Sequence, residues 1–378
     1  MSVSKSRVWG LCLGLSLLVS ATAHAATATA PSLRWDTVRH PDNNLPVMGD
    51  VLYAQGHYVA GGEGVLMTSS DGASWKTVFS DPNWVFGPTI YGGGQYVSNG
   101  IGVLAVSTDA QSWKEVAIPS DDAFFFLAYG RGLYVATGVQ CTTTACASRV
   151  FTSTDLSTWV AHDLIGVSQD DFGPIAWNGS EFMVLTDNRT GHGKWALTSF
   201  DGLDWAAHTF AATAPTLIRF QQLRAVDGRF FALGGYNDEA CVQRLLNNFC
   251  TSPYLAVSDD GSQWQQVKLT DPFELFDDIV HVGGQYLAVM DYDQACGICI
   301  LSFKLLASSD GVHWAPAQGV PDDAEPVSVA TDGKSAVAVG IHGSIVTAPQ
   351  AGSSGGGGVA VPWLLALLLG WRSFKPRA

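Results

Sequence analysis

Charge is scarce in this chain, and positive charge most of all. Only 14% of its 378 residues are Asp, Glu, Lys or Arg, and 34 acidic residues outnumber 20 basic ones, for a net charge of −14. Such a field repels nucleic acid and anionic lipid and attracts cations or basic partners. No segment shows helical periodicity of useful length, which argues against helix bundles and α/β layers. No apolar run reaches the ~20 residues that a membrane-crossing helix requires. A second CxxC, a well-spaced His pair and an EF-hand-like spacing are also missing, so no zinc or EF-hand calcium site is written in the sequence. Disorder is excluded by the opposite kind of evidence, because aromatic residues make up 11% of the chain and charge is low.

What is present is a phrase repeated six times: Ser-x-Asp, three residues, then Trp. Its Asp/Trp pairs are Asp71/Trp75, Asp109/Trp113, Asp155/Trp159, Asp201/Trp205, Asp260/Trp264 and Asp310/Trp314. A phrase returning every few dozen residues marks a repeat architecture. Each unit reads as four short strands. An apolar stretch ends at a Gly-containing turn, as in Thr89 to Gly94; an aromatic-rich strand follows, as in Gln95-Tyr96-Val97; a second apolar strand such as Val103 to Val106 leads into the Asp phrase; and a last strand such as Trp75 to Val78 closes the unit. Short apolar runs bounded by turn residues are strands buried on both faces, and four per unit make the blades of a β-propeller. The Asp carboxylate is expected to accept backbone N–H groups of its own turn. The Trp is expected to wedge its ring between neighbouring strands, a packing whose loss on truncation to Ala costs about 3–5 kcal/mol. Gly72, Gly202, Gly261 and Gly311 supply positive φ, whereas Ala110 and Leu156 stand there in two copies, so those two turns are expected to differ in shape.

Residues 326–348 carry the first three strands of a further unit, and the missing fourth stands at the other end of the chain, where Trp35-x-x-Val38 matches Trp75-x-x-Val78. The expected fold is therefore all-β: a seven-bladed propeller of four-stranded blades over residues 32–349, closed by pairing of the N-terminal strand with the C-terminal blade. Six or eight blades stay open because the unit 223–264 is long.

Both ends read as address labels. Residues 1–25 have the form of a secretory signal, with Lys5 and Arg7, an apolar core from Val8 to Val19 and the small-x-small site Ala23-His24-Ala25. Residues 350–378 hold the run Gly355 to Gly358, an apolar stretch from Pro362 to Leu369 and a basic tip with Lys375 and Arg377. This tail resembles the GlyGly-CTERM sorting tail of Gram-negative bacteria. The resemblance implies cleavage by the intramembrane protease rhombosortase, type II secretion and a cell-surface or extracellular destination; a plain C-terminal anchor is the alternative. With the five basic residues of the two ends set aside, 15 basic residues face 34 acidic ones, a balance of −19.

Cys12 lies in the signal, and the other six cysteines fall in close pairs: Cys141/Cys146, Cys241/Cys250 and Cys296/Cys299. Six cysteines allow fifteen pairings, but proximity and an oxidising destination favour the three local ones, each contributing roughly 2–3 kcal/mol on the loop-entropy argument. Cys296-Gly-Ile-Cys299 has redox spacing without the βαβ context of a thioredoxin.

In a propeller the loops alternate between two faces. All three Cys pairs lie between second and third strands, on the face that also holds the blade-to-blade connections. Those connections carry the doublets Asp121-Asp122, Asp170-Asp171, Asp277-Asp278 and Asp322-Asp323, with Trp84, Phe124, Phe172 and Phe276 beside them. One acidic and aromatic face is thus expected around the channel mouth, with carboxylates for a cation or basic group and rings for stacking on a sugar or peptide. Calcium is a candidate there because it takes several oxygen ligands, although no cofactor is called for. The competing reading is structural, since Asp doublets are common in turns and Phe at the start of an inner strand is usually core.

The Ser-x-Asp-…-Trp phrases resemble the Asp-box, or BNR, repeat of sialidase-like propellers. In that family they are structural corners opposite the active site, so the resemblance implies structural roles for the six aspartates and tryptophans. It also invites a glycoside hydrolase reading. The family's Arg-Ile-Pro motif is absent, however, and Arg219, Arg224 and Arg244 cluster around one blade and do not form a three-arginine clamp. The non-catalytic Asp-box propellers, including the photosystem II assembly-factor-like proteins, are the nearer likeness. They imply a secreted binding platform for a protein or glycan ligand, with a sialidase-like glycoside hydrolase as the alternative.

Overall fold

In the computed structural model, the described residues are 33–42, 44–100, 102–119, 122–163, 172–186, 195–209, 218–237, 251–267, 275–292 and 302–349. They form seven antiparallel sheets arranged as a seven-bladed propeller. The innermost strands of blades 1 to 7 are Met48–Ala54, Thr89–Gly92, Asp122–Gly130, Phe172–Trp177, Ile218–Val226, Leu275–Val282 and Pro326–Thr331. In blade 1 one long element, His57–Ser69, supplies the second and third strands by doubling back through Gly64 (φ 71°). Thr68 Oγ1 there donates to the Tyr58 carbonyl across the fold-back.

The ring closes as the sequence predicts. Asp36–Arg39 pairs antiparallel with Ile345–Ala348, with Asp36 opposite Thr347 and Arg39 opposite Ile345. Trp35 is buried in the same cluster as Val346 and Ala348. Joining first and last strands in one blade removes the two free edges an open ring would leave.

Blades pack face to face through rings seated on glycine. Tyr129 lies over Gly92 of the preceding blade and Trp177 over Gly130; a Cβ at either glycine would come within 2.2 and 2.3 Å of those rings. Tyr134 Oη then donates to the Gly92 carbonyl at 2.8 Å, and Tyr96 Oη to that of Ala54, so each tyrosine clasps the turn of the blade before it. Replacing Gly130 by Ala is expected to force the indole out of its seat and cost about 1–3 kcal/mol, the range for overpacking a filled core. Urea unfolding followed by tryptophan fluorescence measures it; an unchanged midpoint would show that the seat yields freely.

Candidate functional site

The six Ser-x-Asp turns are built alike. In each, one Asp oxygen accepts the backbone N–H groups two and three residues on, at 2.7–2.9 Å. The Trp indole N–H returns to the carbonyl three residues earlier, at 2.9–3.4 Å. The expectation that the Ala110 and Leu156 turns differ is corrected. Both residues adopt the left-handed conformation (φ 58° and 67°) like the glycines. Both are also buried, Leu156 in a hydrophobic cluster with Phe151 and Tyr134. The strain of roughly 1–2 kcal/mol is offset by burial and by the turn's hydrogen bonds.

Trp75, Trp113, Trp159, Trp205, Trp264 and Trp314 are all half-buried. Each indole packs against a core cluster. Trp75 lies over Tyr58 and Met67, and Trp113 bridges the clusters of Tyr96 and Leu66. Trp159 lies on the cluster of Phe124 and Phe151, Trp205 on that of Phe182 and Leu197, Trp264 on that of Tyr254 and Ala256, and Trp314 on that of Phe276 and Val267. The indole N–H explains the half-exposure, because reaching the carbonyl of its own turn holds the ring at the rim. None of the six tryptophans, and none of Asp71, Asp109, Asp155, Asp201, Asp260 and Asp310, lines the channel cavities described below.

The turns share a face with the first turn of each blade, as Arg131 stacked 3.8 Å over Phe200 shows. The opposite face carries the blade-to-blade connections. The Cys141–Cys146 disulfide lies there, closing a hairpin end, and Gln140 beside it donates to Asp122 at 3.1 Å. Acidic connection and cystine therefore stand on one side. Asp121, Asp170, Asp171, Cys241, Cys250, Cys296 and Cys299 lie outside the described residues, as do both chain ends.

Several of the predicted face residues turn out to be internal. Phe124, Phe172 and Phe276 are buried core, which corrects their assignment as stacking rings. Phe124 packs on Trp159 with ring centroids 4.5 Å apart, and Phe276 on Trp314 at 5.8 Å. Trp84 is half-buried against Phe79 and Phe86. Asp322 and Asp323 are exposed, and Asp323 pairs with His40 at 2.7 Å. Phe125 stands open on this face, at 47% exposure.

Asp278 departs furthest from expectation, because it is 1% exposed and stands at the channel axis. The reason is a β-bulge. In blades 1, 3, 4, 5, 6 and 7 the pairing of the innermost strand slips near its entry end, and a bulge re-aims the residues beside it. The residue following the slip is Asp50 in blade 1, Phe126 in blade 3, Gln222 in blade 5, Asp278 in blade 6 and Ser328 in blade 7. Pro88 and Pro174 hold the corresponding place in blades 2 and 4, since Thr89 and Ile175 pair as Val51 does. This belt is polar over blades 5, 6, 7 and 1 and apolar over blades 2 to 4.

Asp278, Ser328 and Asp50 of the polar arc are wired together with Arg224. Arg224 donates from Nε to Asp278 at 2.7 Å and from Nη2 to Asp50 at 3.3 Å. Asp278 also accepts from Ser328 Oγ at 2.7 Å and from the backbone N–H groups of Val329 and Ile279. Asp50 accepts the Thr89 N–H at 2.7 Å, and Ser328 Oγ accepts that of Val51 at 3.1 Å. In three successive junctions the belt residue of one blade thus caps an edge N–H of the next. Innermost strands have a free edge at the axis, and a buried unpaired N–H there would be costly. Burial pushes the Asp50 carboxyl above its ordinary range against the pull of Arg224. For Arg224, burial works against the charge, but Asp278 and Asp50 outweigh it and raise its pKa.

Two cavities meet at this clamp. One, about 300 Å³, opens towards the turn face past Leu52, Val280 and the His281–Asp227 pair. The other, about 380 Å³, opens on the connection face and is lined by Asp50, Gln221, Gln222, Arg224, Asp277, Asp278, Phe303 and Ser328. Among the described residues, no three His, Cys, Asp or Glu side chains gather as a metal set. Four of the described arginines stand apart: Arg131 on Phe200, Arg229 with Asp259, Arg149 with Asp163 and Arg224 in the channel.

No family model and no curated protein matches the sequence. Solved structures do match in fold. Virginiamycin B lyase from Staphylococcus aureus aligns with a TM-score of 0.59 at 12% identity, over 83% of this chain and 98% of that one. The extracellular domain of the putative one component system BT4673 from B. thetaiotaomicron aligns at 0.58 and 11% identity over 85% of this chain, which spans 40% of that longer one. Kuenenia stuttgartiensis hydrazine synthase aligns at 0.54 and 9% identity. At these identities the likeness is one of fold, that of the β-propeller.

Two expectations follow from the geometry. Removing one partner of the clamp by Asp278→Ala leaves a guanidinium largely enclosed with its main acceptor gone. Denaturant unfolding is expected to show a loss of about 3–5 kcal/mol, the range for a broken buried ion pair; a loss below about 1 kcal/mol would contradict the clamp. The turn aspartates predict an acid limit. Backbone N–H groups, of Ser112 and Gln111 for Asp109 and of Thr158 and Ser157 for Asp155, lower both carboxyls to about 2. The unfolded chain titrates near ~3.9. The stability these groups contribute is therefore complete above about pH 4 and lost as pH falls towards about 2. The melting temperature should hold above about pH 4 and fall below it, and Asp109→Asn with Asp155→Asn should flatten that fall.

Proposed function

We propose that this chain is a secreted, non-catalytic binding propeller displayed at the cell surface, which takes a protein or glycan ligand at the channel mouth of its connection face. The saturation of the axial carboxylates carries this reading. Both oxygens of Asp50 and both of Asp278 already hold hydrogen bonds from Arg224, Ser328 or backbone N–H groups. A glycosidase needs one carboxyl free to protonate a leaving group and a second free to attack or to activate water. Here both are spent on shape, while the bulges hold a cavity of about 380 Å³ open beside them.

The ends of the chain support the destination. The N-terminal signal pattern directs export, and the glycine run, apolar stretch and basic tip at residues 355–377 suit a rhombosortase-like protease and the type II secretion machinery as processing partners. The local cysteine pairs fit an oxidising compartment. The reading calls for no resident cofactor; calcium stays a candidate only for the outer carboxylates of the acidic face, away from the mouth, and is tested by repeating the binding measurements with chelator.

The test uses purified residues 26–351 on a panel of fluorogenic glycosides and on protein and glycan arrays. Capture of a defined ligand without turnover is expected. Turnover abolished by Asp277→Asn or Asp278→Asn would replace the binding reading with the sialidase-like hydrolase.

A further inference from the structure

We propose that the connection-face mouth takes an uncharged sugar and rejects both acidic sugars and cations, an inference that rests on the binding reading above. Three observations carry it.

The first is charge. Among the described residues, the cavity is lined by the carboxylates of Asp50, Asp277 and Asp278 against the guanidinium of Arg224. An anionic ligand therefore meets a net negative wall, inside a chain of net charge −14. Charge of one sign in a cleft is focused by its low-dielectric walls, so the repulsion is stronger than on an open surface.

The second is occupancy. The same carboxylates are poor ligands for a cation, because Asp50 and Asp278 have no oxygen without a donor. Asp277 is half-buried and itself engaged. An ammonium group or a divalent ion needs several oxygens turned towards it, and supplying them here means dismantling the clamp.

The third is what is left to bind with. Arg224 uses Nε and Nη2, and its Nη1 donates to no described residue. Gln221 and Gln222 flank it on the bulge of blade 5, Gln221 exposed and Gln222 half-buried, each with an amide donor and an amide acceptor. Phe303, half-buried, supplies an apolar wall. Planar amides, one guanidinium nitrogen and a ring suit a ligand whose groups both donate and accept and whose body has an apolar face. Neutral hydroxyls on a sugar ring meet that description, while a carboxylate only accepts and leaves the amide oxygens without a donor. This reverses the ligand charge that the sialidase-like resemblance would suggest.

Isothermal titration of the full chain with lactose, cellobiose and N,N′-diacetylchitobiose, against 3′-sialyllactose, digalacturonate and a hexalysine peptide, tests the inference. At least one neutral sugar should bind, and each acidic sugar about tenfold or more weaker. Gln222→Leu should weaken the neutral sugar about tenfold, the scale of one lost hydrogen bond with its partner left unpaired. Asp227→Asn, at the other mouth, should leave it unchanged. Should Gln222→Leu fold poorly by thermal melting, Gln221→Ala at the exposed neighbour carries the same test. Tighter binding of an acidic sugar or of hexalysine, no binding of any neutral sugar, or neutral-sugar binding indifferent to both glutamines overturns the inference and leaves the binding reading standing. Hydrolysis of a neutral sugar would instead overturn the non-catalytic reading and keep the ligand class.

Discussion

The arrangement depends on how the axis of the ring is satisfied. Seven strands converge there with one edge each unpaired, in a space too narrow to hydrate every N–H as bulk water would. The chain answers with side chains borrowed from the neighbouring blade: Ser328 for Val51, Asp50 for Thr89, Asp278 for Val329. Each cap joins two blades, so satisfying the edge and fixing the blade-to-blade angle are the same act. Arg224 then ties blade 5 to blades 6 and 1 across the channel and neutralises one of the two buried charges this solution introduces.

At the rim the solution is different and independent of the axis. There the carboxylate-pinned corner and the returning indole N–H shape each turn from within its own blade, and contact with the neighbour is made by packing. Gly261 shows the fit, since a Cβ there would come within 2.1 Å of Met183 Cε in the preceding blade. The half-buried indoles, Trp113, Trp205 and Trp264 among them, pack against the core clusters there. An electrostatic hub and an apolar rim respond to different insults. On acidification Asp50, whose carboxyl is raised by burial, takes up its proton before Asp109 and Asp155, which the N–H groups of their turns hold low.

The sequence reveals the rim and conceals the hub, for a physical reason. The corner is a local motif: its donors and acceptors lie within seven residues, so the phrase can be recognised wherever it recurs, and with it the blade count, the closing strand at Trp35 and the sidedness of the loops. The hub is assembled from residues up to 277 positions apart, as Ser328 and Val51 are. Asp277-Asp278 reads like any acidic turn because the pairing slip between Phe276 and Asp278, which sends the second carboxylate inward, leaves no mark in composition. Phe124, Phe172 and Phe276 likewise read as surface rings because entry positions of inner strands carry the same residue types whether they face a ligand or a neighbouring blade. A usable pattern does exist. Asp50, Gln222, Asp278 and Ser328 stand at one register position of successive units, and aligning the units on their tyrosine and phenylalanine strands shows a polar column where the other blades place Pro88, Phe126 and Pro174.

That column links fold to function. The bulge that turns Asp50, Gln222, Asp278 and Ser328 to the axis also sets Gly49, Gln221, Asp277 and Val327 at the mouth, one position earlier. In the first set Asp50, Asp278 and Ser328 are fixed by the need to cap edge N–H groups, and changing them costs stability. The second varies from glycine through valine to glutamine and aspartate within a single ring. A propeller built this way can alter what it recognises by changing the mouth residues while the capping residues hold the blades in place. The chemistry of the mouth is therefore best sought in the residues preceding the belt, and in this chain the polar ones among them, Gln221 and Asp277, lie side by side on blades 5 and 6.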